Sequence, residues 1–130
     1  MNFIEWRDKV TQCCKEAGTF RSCFIPVIET LADILARRDM ALAEFEAAGS
    51  VMIVEHTNKA GATNLEQNPA IRMVNDLNRD ALAYWRDLGL TPAGLRRINE
   101  AAIRAGEKEP SALEKALAKL SDEKELGRGA

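Results

Sequence analysis

The chain has 130 residues, 46% of them apolar and 29% charged, and a formal net charge of −2. That length fits one compact domain, the balance excludes a disordered chain, and no apolar run approaches the roughly 20 residues that cross a bilayer. The near-neutral charge also excludes the strongly basic footprint of a monomeric DNA-binding domain, so any nucleic-acid binding must multiply a local cluster by self-association.

The spacing predicts a first helix from about Asn2 to Glu16. Asn2 is placed to cap it, with Glu5 three residues on as in a capping box. Phe3, Trp6, Val10, Cys13 and Ala17 recur on one face, and Gly18 ends the helix. The opening MNFIEWRDKV lacks the apolar centre of a signal peptide, so the expected compartment is a cytoplasm. A second helix is expected from about Ser22, as cap, to Ala48, with Pro26 in its first turn. Its apolar stripe is Val27, Leu31, Ile34, Leu35, Leu42 and Phe45, and Gly49 stops it. At about 37 Å such a helix is too long to stand alone and needs a similar partner.

The period then changes. SVMIVEH, the turn TNKAGA and TNLEQ read as a short β-hairpin, which must lean on helices or on another subunit. Asn68-Pro69 opens a third helix by cap and first-turn proline, with Ile71, Val74, Leu77, Asn78, Ala81, Leu82, Trp85 and Leu88 along one face. Gly89 ends it. Thr91-Pro92 repeats the device and starts a fourth helix, to about Ala105, after which AGEKEP breaks the chain. Ser111 is placed to cap a last amphipathic segment, Ala112 to Leu120, followed by a frayed tail, SDEKELGRGA.

Chemistry is sparse. Neither a GxxxxGK[ST] phosphate loop nor a GxGxxG is present. His56 is the single histidine and falls in the hairpin, where a surface role is expected. Cys13, Cys14 and Cys23 form no disulfide framework, and with His56 they match no zinc spacing. The acidic run Asp122, Glu123, Glu125 reads as a solvated tail. The expectation is a non-enzyme without metal or cofactor.

The stretch LGLTPAGLRRI raises the question of a DNA-reading helix-turn-helix. Gly89 supplies a turn, and Tyr84, Leu88, Leu90, Leu95 and Ile98 supply a small core between two helices. Arg96, Arg97, Asn99 and Arg104 lie along the second, where arginine suits guanine and phosphate and asparagine suits adenine. Against this, Trp85 stands about four residues before Gly89, where close helix approach calls for a small side chain. A plain helical joint with solvated arginines is the competing reading. Residues 69–105 hold six arginines against four acidic residues, a local charge of +2 in an otherwise acidic chain. Arg7, Lys9 and Lys15 form a fallback basic set.

The order of these features resembles the small terminase subunits of tailed double-stranded DNA phages. NPAIRMVNDLNRDALAYWRDLGLTPAGLRRI carries the resemblance: Asn68-Pro69 opens a helix that ends in Leu-Gly-Leu-Thr-Pro, Leu88 to Pro92. Upstream, Trp6 in the first helix, Gly49 after the long helix, the Val51 to Val54 run and Gly61 in the hairpin turn stand in the same order. The likeness covers roughly residues 3–104. One departure is Gly94-Leu95 before Arg96, where the family often has an arginine directly after Thr-Pro-Ala.

The resemblance implies a mainly α fold: long antiparallel helices with a short β-hairpin between them and a short C-terminal helix, assembling into a ring of about eight to twelve copies. It implies a host-cytoplasmic protein, not membrane-bound and without catalytic activity. Such a protein binds double-stranded viral DNA at the packaging site, and recruits and regulates the large ATPase–nuclease subunit. Residues 1–105 would form the oligomerisation and DNA-recognition domain, with the hairpin near 51–67, and 106–130 a partly flexible C-terminal segment. On this reading the DNA-binding candidates are Arg96, Arg97, Asn99 and Arg104. Leu31, Leu35, Leu42, Val74, Leu82 and Trp85 are candidates for the interface between subunits. Leu113, Leu117 and Leu120 either dock the large subunit or fold back on the ring. The competing function is a dimeric helix-turn-helix regulator.

Overall fold

The computed structural model describes residues 1–108 and 112–128. The chain divides into two compact units, 1–95 and 96–130, with the division falling inside the fourth helix.

Helix α1 spans Phe3–Ala17. The Asn2 side chain accepts the Glu5 N–H at 2.9 Å and the Glu5 carboxylate accepts the Asn2 N–H at 3.2 Å, so the expected capping box forms. At the other end Gly18 turns left-handed, with φ 73°, and the Thr19 N–H reaches back to the Cys14 carbonyl at 2.9 Å. Ser22 does not cap the next helix. Residues Ser22–Phe24 wind a single 3₁₀ turn, and α2 begins only at Ile25, running to Ala47 with Pro26 in its first turn. The tighter turn takes up the orphan donors that a serine cap would otherwise have met.

Strands β1, Ile53–Thr57, and β2, Thr63–Gln67, form the expected antiparallel hairpin, with Ile53 opposite Gln67 and Thr57 opposite Thr63. In its loop the Asn58 carboxamide oxygen accepts the N–H groups of Ala60 and Ala62, both at 3.0 Å. At its base Asn68 does two jobs. Its backbone N–H and side-chain amide hold the carbonyls of Met52 and Val51, at 2.8 and 2.7 Å. Its side-chain oxygen caps α3, Pro69–Asp87, through the Ala70 N–H at 3.0 Å.

The three helices of the first unit run alternately up and down. Phe24 and Val27 line one cleft with Asp87 and Leu88, while Glu44 lines another with Met73, so α2 and α3 are antiparallel. The Met1 ammonium reaches Asp39 while Val10 and Cys14 pack with Ile28 and Leu31, so α1 is antiparallel to α2. Val10, Cys14, Ile28, Leu31, Leu35, Ala81 and Leu88 make the buried cluster, walled by Trp6, Phe20, Phe24, Tyr84 and Trp85. Phe45, Ala41 and Val74 continue the burial toward the hairpin.

This packing corrects part of the expected interface. Leu31 and Leu35 are wholly buried and Val74 nearly so within one chain. The long helix finds its partner in α3 of its own chain, so these side chains are spent on the internal core. Leu82 is exposed, and Leu42 and Trp85 are half-buried.

Across the α1–α2 seam, Asp39 gathers three donors: the Met1 ammonium at 2.9 Å, Trp6 Nε1 at 2.8 Å and Arg38 Nη2 at 2.8 Å. Burial alone would raise its pKa, but these donors outweigh that effect and hold the carboxyl below its ordinary value.

Helix α4 spans Pro92–Lys108, beyond the expected end at Ala105, and α5 spans Ala112–Arg128. The expected C-terminal helix is present and continues past Leu120 through the expected frayed tail to Arg128, 17 residues in all. Glu123, Lys124, Glu125 and Leu126 are good helix formers and sustain it past the weaker Ser121 and Asp122. The expected cap at Ser111 and the Glu109-Pro110 break lie outside the described residues.

Candidate nucleic-acid interface

The joint between α3 and α4 is built from backbone. Gly89, left-handed at φ 72°, lets the Leu90 N–H reach the Trp85 carbonyl at 2.8 Å while its own N–H meets the Arg86 carbonyl at 3.0 Å. That pair of bonds is a Schellman closure, which satisfies the last carbonyls of α3. Thr91 then caps α4, its hydroxyl accepting the Gly94 N–H at 3.0 Å. A Cβ on Gly94 would overlap the Arg86 carbonyl oxygen. The first turn of α4 therefore lies directly on the last turn of α3.

The sequence argument placed this close approach four residues before Gly89 and found it blocked by Trp85. The structure puts it five residues after, at Gly94. Trp85 faces α1 instead, edge-on to Trp6 with ring centroids 6.4 Å apart. The joint is also tied to the connection that follows α1, because the buried Thr19 hydroxyl donates to the Leu88 carbonyl at 2.7 Å. Of the side chains expected to form a separate core here, Tyr84, Leu88 and Leu90 belong to the main cluster. Leu95 lines a cleft with Cys13 and Ala17.

Arg96, Arg97, Asn99 and Arg104 are all exposed on α4. At about 100° per residue, Arg97 and Arg104 project within about 20° of each other, and the four side chains span about 160°. Ile98 lies on the opposite side and is partly buried. Glu100 is the one acidic residue among them, so this face carries net positive charge. The three arginines make no ion pair among the described residues.

Sequence reading passed over a second set. Arg72, Arg79 and Arg86 recur every seven residues on the outer face of α3, opposite the buried Val74, Ala81 and Leu88. The seven-residue spacing was the available signal. Beside them, however, runs a stripe of Asp76, Asp80 and Asp87, and Arg79 pairs with Asp76 at 3.4 Å. Three charges of each sign cancel there, whereas on α4 they do not. The fallback cations on α1 are engaged locally: Lys9 over Trp6, Lys15 over Phe20, and Arg7 against Asp8. Leu113, Leu117 and Leu120 lie exposed along one side of α5.

Among the described residues, no three His, Cys, Asp or Glu side chains gather as metal ligands, and no helix is long and apolar enough to cross a membrane. His56 is exposed on β1. Burial pushes the Cys14 thiol above its ordinary value, despite a hydrogen bond to Thr19.

Compared with known proteins, residues 4–104 match the family described as phage terminase, small subunit. Neither a curated protein nor a solved structure matches the chain.

Proposed function

The chain belongs to the phage terminase small-subunit family, whose role lies in phage DNA packaging, and from that premise we propose that it binds double-stranded viral DNA and recruits and regulates the large ATPase–nuclease subunit. The reading places it in the host cytoplasm as a ring of about eight to twelve copies, without catalytic chemistry of its own. The observation that carries the DNA contact is the arginine-bearing face of α4, exposed and free of ion pairing among the described residues. Three arginines per copy make a weak site alone. A closed assembly multiplies them into a phosphate-binding surface. Leu113, Leu117 and Leu120 on α5 are the proposed docking face for the large subunit, and Leu82 with the half-buried Leu42 and Trp85 contributes to contact between copies.

A salt titration of DNA binding tests the arginine face. Replacing Arg96 and Arg97 by alanine is expected to weaken binding on every sequence and to make the dependence on salt shallower. An unchanged slope moves the DNA surface off α4.

The close packing at Gly94 favours a second reading, a dimeric helix-turn-helix regulator, since that motif needs two helices in tight contact across a short turn. Such a dimer reads paired half-sites. A strict dimer in native mass spectrometry supports it, and a ring excludes it.

A further inference from the structure

We infer that the β-hairpin is an intermolecular arm whose Ile53–Leu65 face seats in the groove between α2 and α3 of a second copy of the chain. The inference rests on the self-association proposed above and says which surfaces carry it. Nine of the ten strand residues are exposed. A two-stranded hairpin without packing is marginal in water, so a ladder of this kind calls for a covering surface. Its own helices leave it uncovered. Alternation puts Ile53, Glu55 and Leu65 on the same face, with Glu55 directly across from Leu65 and Ile53 on the diagonal. Ile53 and Leu65 are 60% and 73% exposed. The face is thus an apolar pair beside one carboxylate.

The groove offers the complement. It is a cleft of about 380 Å³ lined by Met40, Ala41, Met73 and Leu77, with Arg37 and Glu44 on its rim. Met40 and Met73 are 65% and 56% exposed, and methionine adapts readily to an incoming side chain. Arg37 pairs at 3.0 Å with Asp33, four residues earlier on the same exposed surface. Such a pair is weak and leaves the guanidinium able to exchange onto Glu55. Apolar pair meets apolar floor, and the Glu55 carboxylate meets the Arg37 guanidinium when the arm seats with Glu55 on the Arg37 side, away from Glu44. Because arm and groove are different surfaces, the contact is head-to-tail, the kind that closes into a ring when the rotation allows.

Native mass spectrometry of the full chain tests this with Leu65→Asp, Arg37→Glu, Glu55→Arg and the Arg37→Glu/Glu55→Arg pair. Far-UV circular dichroism checks that each keeps its helices. The expected result is an assembled parent, assembly weakened about tenfold or more in each single variant, and recovery in the charge-swapped pair. Single variants that assemble like the parent overturn the arm while leaving self-association standing. Loss in Leu65→Asp with no effect of Arg37→Glu points to hairpins pairing edge to edge and also overturns it, as does a charge-swapped pair that stays dissociated. A monomeric parent overturns both the arm and the self-association beneath it.

Discussion

Gly94 decides how close α4 comes to α3. Its hydrogen atom sits where any side chain would strike the Arg86 carbonyl, and that carbonyl is held in place by the Gly89 N–H. Neither partner can yield cheaply, because both are backbone in a closed turn. Gly94→Ala is therefore expected to destabilise the chain by about 1–3 kcal/mol in urea unfolding, and a neutral result contradicts the close packing. Asp39 makes a prediction in pH. Its carboxyl is held below its ordinary value by the Met1 ammonium, Arg38 and Trp6, against the opposing effect of burial. A depressed carboxyl contributes stability that is present above the unfolded value, near pH 4, and is lost as pH falls through the folded one. Asp39→Asn should lower stability at pH 7 by about 1–2 kcal/mol. It should also flatten the acid side of the stability curve below about pH 4. Equal stability of the two proteins at pH 7 contradicts a structural role for this network.

At the scale of elements, the helix ends that carry a glycine stop or an Asn or Thr cap were legible, while the start of α2 and the ends of α4 and α5 were not. Asn2, Gly18, Gly49, Asn68, Gly89 and Thr91 all stop or start helices as local chemistry demands, because caps depend on neighbours one to four residues away. The hairpin was legible too, from the β-branched, apolar run SVMIVEH and the turn chemistry of TNKAGA. What sequence could not give was partner choice. Leu31, Leu35 and Val74 read equally well as a face toward another subunit or toward a helix of the same chain, since an apolar stripe does not say what covers it. The close contact at Gly94 was missed for a related reason: it depends on a backbone carbonyl from another helix, which side-chain spacing does not reveal. Continuation of α5 through SDEKEL was not legible because a charged run suits a solvated tail as well as a helix surface, although Glu, Lys and Leu favour helix. Asn68 joins two elements and predicts a double effect. Asn68→Ala should cost about 0.5–2 kcal/mol through the lost cap. It should also speed amide exchange at the hairpin base, where the side chain holds Val51. Unchanged exchange there contradicts the strap.

At the scale of the whole molecule, a three-helix unit, an exposed hairpin, an arginine-bearing helix and a leucine-bearing helix share one chain. Each of the last three exposes groups that a solitary chain leaves unused. Family membership gives those surfaces a common setting in genome packaging, and the proposed arrangement gives each a different partner: a second copy, DNA and the motor subunit. The candidate DNA residues were named from sequence because arginine and asparagine cluster on one predicted helix. What they needed from the structure was the comparison with α3, where an equal number of aspartates removes the net charge. The most direct test of the central claim is the ATPase rate of the cognate large subunit, measured with DNA and titrated with this chain. The account predicts that the chain changes the rate, and that Leu113→Glu/Leu117→Glu/Leu120→Glu abolishes the change without altering the assembly's mass. A rate indifferent to the unmodified chain contradicts it.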